Sequence, residues 1–210
     1  MATRALIKRT IKNMVLLLVL PLFGLYWITS GGGKSDGAFQ AYSQFLSLFP
    51  GKTGIYIRAA FYRLACPGTS DEISIGFLTI FSHRDTTIHR GVYIGPQCNI
   101  GKCTIGENTL LGSGVHVLSG SKQHAFSDTD RPIQEQGGSF EKIQIGADCW
   151  LGNTAVVMAS LPDKVVVAAG SVITKTANCG DIMAGNPAKV IRNRIGGNSA
   201  IEPEAEHHAQ

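Results

Sequence analysis

The chain has 210 residues, of which 44% are hydrophobic and 16% are charged, and its formal net charge is +4. This composition is not that of a disordered chain, and the length predicts one domain of ordinary size with an appendage. The mild positive excess favours an anionic cofactor or a membrane surface. Without basic motifs interleaved with aromatic residues, it gives no indication of nucleic-acid binding.

Residues 1–30 combine a basic start with an uncharged run, Met14 to Ile28. A secretory signal peptide has the same layout, but no Ala-x-Ala site follows. A membrane span needs about 20 apolar residues, and this run is shorter. A single span would also leave Lys8, Arg9 and Lys12 outside if the domain is cytosolic, against the positive-inside tendency. We favour a re-entrant or in-plane anchor that holds the protein at the cytoplasmic face of the membrane, with its bend at Pro21 and Gly24.

Residues 31–70 are predicted to form a linker and short helices. Gly31 to Gly37 is rich in glycine and indicates a flexible linker. Apolar periodicity predicts one helix over Ala38–Leu48 and a second over Gly54–Leu64. The apolar face of the second helix can lie on a membrane, cover the end of the domain that follows, or do both.

A near-regular six-residue period runs from Ile88 to Val117 and resumes from Ile145 to Ile173. Each unit opens with Ile, Leu or Val, Gly usually follows, and a small or β-branched residue comes four positions after the opener. This period suits neither a helix nor an ordinary strand. It predicts a solenoid of triangular coils in which each short strand buries one side chain. Asp71 to Thr87 is the imperfect first coil.

The five cysteines, an odd number, form no Cys-x-x-Cys pair, which argues against a disulfide framework or a metal cluster. Cys98 and Cys149 fall on the small position of the repeat and are expected to fill the core. Free thiols are consistent with a reducing compartment.

The repeat and two closing runs, Gly170–Lys175 and Ala184–Arg192, resemble the hexapeptide-repeat acyltransferases, in particular the sugar, xenobiotic and maltose O-acetyltransferase group. The resemblance implies a mainly β fold, a left-handed parallel β-helix over residues 71–192 with helices before it. It also implies a homotrimer with active sites between neighbouring solenoids. We expect residues 193–210 to be a disordered tail.

The period stops over residues 119–142, a polar loop. Loops of this length in compact domains are usually functional or disordered. His124 is the predicted general base, because an attacking hydroxyl must lose a proton and histidine titrates near neutral pH. The stretch from His124 to Asp128 resembles the His-x-aromatic-Ser-Asp of sugar acetyltransferases. His116, at an outward repeat position, is the rival. Three carboxylates remain open as the group that orients the imidazole: Asp128, Glu135 and Glu141.

The resemblance also implies acetyl-CoA as co-substrate and no metal. Trp150 is expected to pack on the pantetheine arm, with a subunit contact as the alternative. The cations among the implied contacts would face the phosphates. The complete implied set is Trp150, Asn153, Ala169, Thr174, Lys175, Lys189 and Arg192.

The predicted reaction is acetyl transfer from acetyl-CoA to a sugar hydroxyl. No Gly-x-Ser-x-Gly elbow is present, which favours direct attack without an acyl-enzyme. The apolar N-terminal segment indicates an acceptor that takes part in polysaccharide or glycolipid assembly. This acceptor is a saccharide, either free or linked to a lipid. Two alternatives stay open. One is a soluble enzyme that acetylates xenobiotics or other small molecules. The other is a zinc-dependent, carbonic-anhydrase-like protein, whose ligands would come from His83, His89, His116 and His124, although their spacing fits poorly.

Overall fold

The computed structural model describes residues 2–195 and places three helices before a solenoid of short strands. The helices are α1 Ala2–Thr29, α2 Asp36–Ser47 and α3 Gly51–Ala65. The strands are β1 Ser74–Ile75, β2 Ile80–Phe81, β3 Thr87–Ile88, β4 Tyr93–Ile94, β5 Asn99–Ile100, β6 Cys103–Ile105, β7 Leu110–Leu111, β8 His116–Val117, β9 Ile143–Ile145, β10 Trp150–Leu151, β11 Val156–Val157, β12 Val166–Val167, β13 Val172–Ile173, β14 Asp181–Gly185 and β15 Ala188–Asn193. A short 3-10 helix spans Ile133–Glu135.

The strands form three parallel sheets, the faces of the predicted triangular solenoid. The first face has the order β1-β4-β7-β10-β12-β14-β15, the second β13-β11-β8-β5-β2 and the third β3-β6-β9. Leu161 extends the third face through a bridge to Ile145. Strands stack in register and in parallel, apart from the antiparallel hairpin of β14 and β15 that ends the chain's described part.

Each two-residue strand points its first side chain outward and buries its second, which explains the six-residue period. On the first face the buried column is Ile75, Ile94, Leu111, Leu151 and Val167. Cys98 and Cys149 are buried, as predicted. Burial raises the pKa of both thiols and raises that of Cys103 to about 12, so these sulfur atoms fill space and are not nucleophiles.

Two irregularities of the repeat are resolved by local geometry. The five-residue unit that starts at Ile100 turns at Gly101 and Lys102, and the three-residue strand β6 then buries both Cys103 and Ile105. In the first coil, Phe81 rather than Ile80 occupies the inward position. Gly76 follows Ile75, six positions before Phe81, but no glycine follows Ile80 or Phe81 themselves, so the local pattern did not distinguish the two.

The helices α2 and α3 form as predicted and cover the first coil of the solenoid. The guanidinium of the fully buried Arg58 donates to the Ile75 carbonyl at 2.9 Å and to the carbonyls of Leu46 and Phe49. The Ser43 hydroxyl accepts a 2.7 Å bond from the Phe81 N–H. The bonds to the Ile75 carbonyl and the Phe81 N–H satisfy backbone groups at the open end of the solenoid, which would otherwise lack partners.

Helix α1 runs without interruption through Pro21 and Gly24, so the bend that we expected there does not break it. By length and composition, its segment Leu6–Thr29 is able to cross a membrane. One side of α1 nevertheless packs on the domain. Tyr26 is fully buried, with its ring centroid 5.5 Å from that of Phe61.

Residues 31–35 form an ordered connection and Asp36 begins α2, instead of the flexible linker that the composition of residues 31–37 predicted. Ser30 is buried and accepts a 2.9 Å hydrogen bond from the Gly33 N–H. Gly33 has φ +79°, which favours glycine, and a Cβ there would lie 3.0 Å from Arg84 Nε and 3.2 Å from the Trp27 ring. At the other end, Asn193 is ordered, which differs from the disordered tail that we expected over residues 193–210. Asn193 belongs to β15, and residues 196–210 lie outside the described part of the chain.

Candidate active site

The break in the repeat forms an ordered arm, residues 119–142, that leaves the solenoid between the second and third faces. Backbone hydrogen bonds cross the arm from Ser139 N to Lys122 O (2.8 Å) and from Glu141 N to Ser119 O (2.9 Å). At its base, the Lys142 Nζ lies 2.8 Å from Asp85 Oδ1. The arm is therefore held in one conformation although its residues form no β-strand.

His124 lies on this arm with its side chain exposed. Gly138 faces it across the arm, where a Cβ would lie 2.9 Å from His124 N and 1.9 Å from Gln123 O. The two sides of the arm therefore approach more closely at His124 than any other residue at position 138 permits.

The described residues leave the orienting carboxylate unassigned. Asp128, Glu135 and Glu141 make no hydrogen bond to the His124 imidazole within residues 2–195. Asp128 instead accepts the N–H of Asp130 at 3.0 Å, which stabilises the tip of the arm.

A polar cleft of about 410 Å³ opens beside the arm, between the second face and α2. Gln123, the neighbour of His124, lines it together with Phe140 from the returning side of the arm. His83 contributes a ring whose Nδ1 lies 3.0 Å from Ser82 Oγ and whose centroid lies 5.3 Å from that of Phe140. The remaining polar lining comes from Gln40, Asn99, His116 and Ser119.

Sequence reasoning missed this cleft, since its residues come from α2, three coils and the arm. One signal was present: Asn99 and His116 hold the outward position of successive coils, and the structure pairs them in register. His116, the rival base, thus lies on the cleft wall and not on the arm. Within residues 2–195, no cluster of three or more His, Cys, Asp or Glu side chains is placed to hold a metal ion.

Trp150 is exposed on the first face, with 54% of its surface accessible. Its strand neighbours in register are Leu110 and Val166, and Tyr93 follows Leu110. These residues form an apolar row along the outside of the first face. Such a row offers a flat surface for an elongated ligand or a subunit.

Asn153 and Ala169 lie at the corner that follows this row, on adjacent coils. Asn153 O accepts the Gly170 N–H at 2.9 Å, and its side-chain oxygen accepts the Ser113 N–H at 3.0 Å. The coils stack so closely that a Cβ on Gly152 would lie 2.5 Å from Ala169 N. Both predicted residues are therefore fixed in position near Trp150.

The predicted cations divide between two edges. Arg192, on β15, pairs with Ile182 of β14, which in turn pairs with Val166 next to Trp150. Three strand spacings of ~4.8 Å therefore separate Arg192 from Trp150, about 14 Å in all. Lys189 is exposed on the same hairpin. Thr174 and Lys175 follow β13 at the far edge of the second face, so the structure does not bring them to the other five within one chain.

Comparisons with known proteins agree with this architecture. A family profile described as "Bacterial transferase hexapeptide (six repeats)" matches residues 85–119, and one described as "Hexapeptide repeat of succinyl-transferase" matches residues 142–175. The two matches flank the arm. The arm is therefore an insertion between two blocks of repeats.

Curated relatives include a probable macrolide acetyltransferase of Lysinibacillus sphaericus, 28% identical over 53% of this chain and 68% of the relative. The putative colanic acid biosynthesis acetyltransferase WcaF of Escherichia coli K12 is 30% identical over 49% of this chain and 56% of the relative. The chain thus spans little more than half of the second relative.

Among solved structures, a maltose O-acetyltransferase from Clostridium difficile 630 superimposes with a TM-score of 0.64 at 19% identity, covering 75% of this chain and 87% of that one. A galactoside acetyltransferase in complex with coenzyme A gives 0.50 at 19% identity, covering 75% and 82%. At this identity the likeness shows the fold, a left-handed parallel β-helix. Together with the repeat profiles and the curated relatives, it supports the resemblance to hexapeptide-repeat acyltransferases that the sequence predicted.

Proposed function

We propose that this protein transfers an acetyl group from acetyl-CoA to a hydroxyl group of a saccharide, at the cytoplasmic face of a membrane, during polysaccharide or glycolipid assembly. The observation that carries the proposal is the fixed arm, which presents His124 next to a polar cleft. The name of the E. coli relative, which refers to biosynthesis of the polysaccharide colanic acid, supports a saccharide acceptor.

The polar cleft fits a saccharide because its lining offers hydrogen-bond donors and acceptors on three sides. Asn99 and His116 are exposed on its floor, and Gln40 and Gln123 line opposite sides. Sugar hydroxyls need such convergent polar groups for orientation. Phe140 adds an aromatic ring against which an apolar sugar face can pack.

The first face fits the donor. Acetyl-CoA supplies an acetyl group activated as a thioester. Trp150 presents an exposed flat ring of the kind that packs on an extended chain, and the exposed cations Lys189 and Arg192 suit phosphate groups. Asn153 and Ala169 lie at the corner that follows Trp150. Thr174 and Lys175 would contribute from the neighbouring edge or from a second copy of the chain.

His124 would act as the general base. Its imidazole accepts the proton of the acceptor hydroxyl as that oxygen attacks the thioester carbonyl carbon. The carbon–sulfur bond then breaks, and the imidazolium returns the proton to the leaving thiolate. General-base assistance of this kind contributes about 10² to 10⁴ in rate.

We further propose that the active site forms between copies of the chain in a homotrimer. The arm that carries His124 leaves the solenoid at the edge between the second and third faces, whereas Trp150 lies on the first face. The arm also exposes Phe126 and Ile133, with 75% and 55% of their surfaces accessible. Large apolar side chains at the end of an ordered arm suit contact with a neighbouring solenoid.

The helical part supports membrane attachment in the plane of the bilayer. From Val15 to Tyr26 one side of α1 packs on α2 and α3, so crossing a bilayer would require α1 to leave the domain. Its other side exposes large apolar residues, and Phe45 of α2 and Leu48, which directly follows α2, also expose theirs. An in-plane helix with an apolar face of this kind binds the membrane interface.

The proposal is tested by acetyl transfer with purified full-length protein, acetyl-CoA and a panel of saccharides and lipid-linked saccharides. His124→Ala should lower turnover by about 10² to 10⁴ without changing the melting temperature, because the side chain is exposed. His89→Ala, a histidine change on the solenoid away from the cleft, is the matched control and should retain activity. Wild-type turnover in His124→Ala would overturn the assignment of the base, and inactivity on every saccharide would overturn the acceptor class.

A second candidate acceptor is a small molecule, as the L. sphaericus relative's name suggests for that protein. The same assay distinguishes the two when macrolides are added to the panel. Preferential acetylation of a macrolide would favour this candidate over a saccharide.

A further inference from the structure

A second groove, of about 420 Å³, lies beside the first face of the solenoid, whereas the polar cleft lies beside the second. It runs between the first third of α1, the first two turns of α3 and the first two coils. Three of the side chains that line it are lysines, Lys8 and Lys12 from α1 and Lys52 from α3. The proposed acetyl transfer makes no use of this groove.

The groove carries an excess of positive charge. Its single carboxylate, Glu72, lies 2.9 Å from Lys12 Nζ and 3.4 Å from Lys8 Nζ. Lys12 is mostly buried and also donates a 2.6 Å bond to the Asp71 carbonyl, so its role is structural. Lys8 is half exposed, and Lys52 is exposed and has no ion pair within residues 2–195. Three lysines face one carboxylate, so the groove keeps an excess of two positive charges, and the exposed cations at its mouth are Lys8 and Lys52.

The other walls of the groove are apolar or aromatic. Ile55, Ala59 and Val92 form the inner side, and the rings of Tyr56 and Tyr93 border it. A ligand that fills this space therefore combines an anionic group with apolar parts. Fully hydrated polyanions do not match such walls, whereas an amphiphile does.

The groove also borders the surface that is proposed to face the membrane. Thr53 is the next residue after Lys52, and it lines an apolar cleft with Val15, Leu18 and Phe49 on the other side of α3. The lysines thus lie at the edge of an apolar surface. Cations in this position meet the phosphate groups of a bilayer.

We propose that the groove binds the phosphate group of a membrane lipid between Lys8 and Lys52, with the lipid's apolar part directed toward α1. This inference rests on the membrane attachment in the proposed function, but it does not depend on which acceptor is acetylated. The shared chemistry is a lipid phosphate, whether of a bilayer phospholipid or of a polyisoprenyl carrier that holds a saccharide.

The test measures partition of the full-length protein onto vesicles by flotation. Pure phosphatidylcholine vesicles are compared with vesicles that contain one part phosphatidylglycerol, or one part polyisoprenyl phosphate, to four parts phosphatidylcholine. The variant Lys8→Gln/Lys52→Gln should lose about tenfold or more in partition onto the anionic vesicles and little on the neutral ones. The control is Lys34→Gln/Lys164→Gln, which removes the same charge outside the groove and should bind like the wild type.

The two kinds of anionic vesicle distinguish a bilayer phospholipid from a polyisoprenyl carrier as the source of the phosphate. A loss on both kinds of anionic vesicle supports a general phospholipid headgroup site, and a loss confined to polyisoprenyl phosphate supports an acceptor-carrier site. Equal partition of the wild type and the groove variant, or an equal loss in the control variant, would overturn the inference. Melting temperatures of both variants establish that each is folded.

The experiments distinguish an error in the lipid-binding inference from an error in the proposed acetyl transfer. If no saccharide is acetylated but the groove variant still loses anionic binding, the groove stands and the acceptor assignment fails. If acetyl transfer proceeds and the groove variant binds lipid like the wild type, the proposed function stands and the lipid-binding inference fails. For a carrier-linked acceptor, the groove variant should raise KM for that acceptor and leave KM for the soluble saccharide unchanged.

Discussion

The ring of Phe140 lies 5.3 Å from the imidazole of His83, which joins the returning side of the arm to the first coil. Together with the ion pair between Lys142 and Asp85, this contact fixes the base of the arm on the solenoid. The position of His124 therefore depends on contacts at the base of the arm as well as on the arm's own hydrogen bonds.

Phe140→Ala should lower kcat more than it lowers stability. Loss of the ring frees the arm from His83, and small displacements of a catalytic group cost large factors in rate, here about tenfold or more. The measurement is steady-state kinetics beside a thermal melt. Phe77→Ala removes a partly exposed ring from the solenoid away from the arm and should leave kcat unchanged. Equal kcat in Phe140→Ala and wild type would show that the contact does not position His124.

Trp150→Ala should raise KM for acetyl-CoA with little effect on KM for the acceptor. An exposed ring that packs on a ligand contributes about 1 to 2 kcal/mol, which corresponds to roughly tenfold in affinity. Initial rates at varied acetyl-CoA concentration provide the measurement. The control is Trp27→Ala, which changes the other tryptophan of the chain. Trp27 belongs to α1 and its ring lies beside the Arg84 guanidinium. If Trp150→Ala instead dissociates the assembly and leaves KM unchanged, the ring is a subunit contact.

Arg58→Met should destabilise the fold by about 2 kcal/mol, because it leaves two carbonyls without a donor at roughly 1 kcal/mol each. They are the carbonyls of Ile75 and Phe49, whereas the Leu46 carbonyl still accepts the Phe49 N–H. Chemical denaturation gives the free energy of unfolding. Arg63→Met is the matched control, since Arg63 makes an exposed ion pair with Asp71 and such pairs contribute less than about 1 kcal/mol. A loss in Arg58→Met no larger than in Arg63→Met would contradict the capping role.

The coils could be predicted because each strand buries one residue, so a six-residue period leaves only one arrangement. Which residue of each strand points inward was predictable where a glycine follows it, as at Ile94 and Leu151. The prediction was wrong at Ile80, which no glycine follows. The turn after α1 was predicted to be flexible because its composition is rich in glycine. Its order comes from Trp27 and Arg84, and Arg84 lies some 50 residues further along the chain.

The candidate site was only partly predictable for a related reason. A long interruption of a regular period identifies the arm, and the resemblance identifies His124. The polar cleft depends on Gln40, Ser82, Asn99 and Phe140, which the fold collects from separate elements. No local pattern marks such a set in one sequence.

The attachment of α1 to the solenoid should weaken in acid. The hydrogen bond from Lys12, together with the charges of Lys12 and Lys8, holds the pKa of Glu72 below its ordinary value of 4.5. The folded state therefore binds this proton less readily than the unfolded state. Its contribution to stability is complete above pH 4.5 and is lost as the pH falls below that value toward the lowered pKa.

Glu72→Gln should accordingly melt below the wild type at neutral pH, and the difference should shrink as the pH falls below 4.5. Thermal melts of both proteins across that range provide the measurement, with limited proteolysis of α1 as a local readout. Glu107→Gln, an exposed change on the solenoid without an ion pair among residues 2–195, should show no such convergence. A wild-type advantage that stays constant into acid would mean that Glu72 stabilises the helix without its charge.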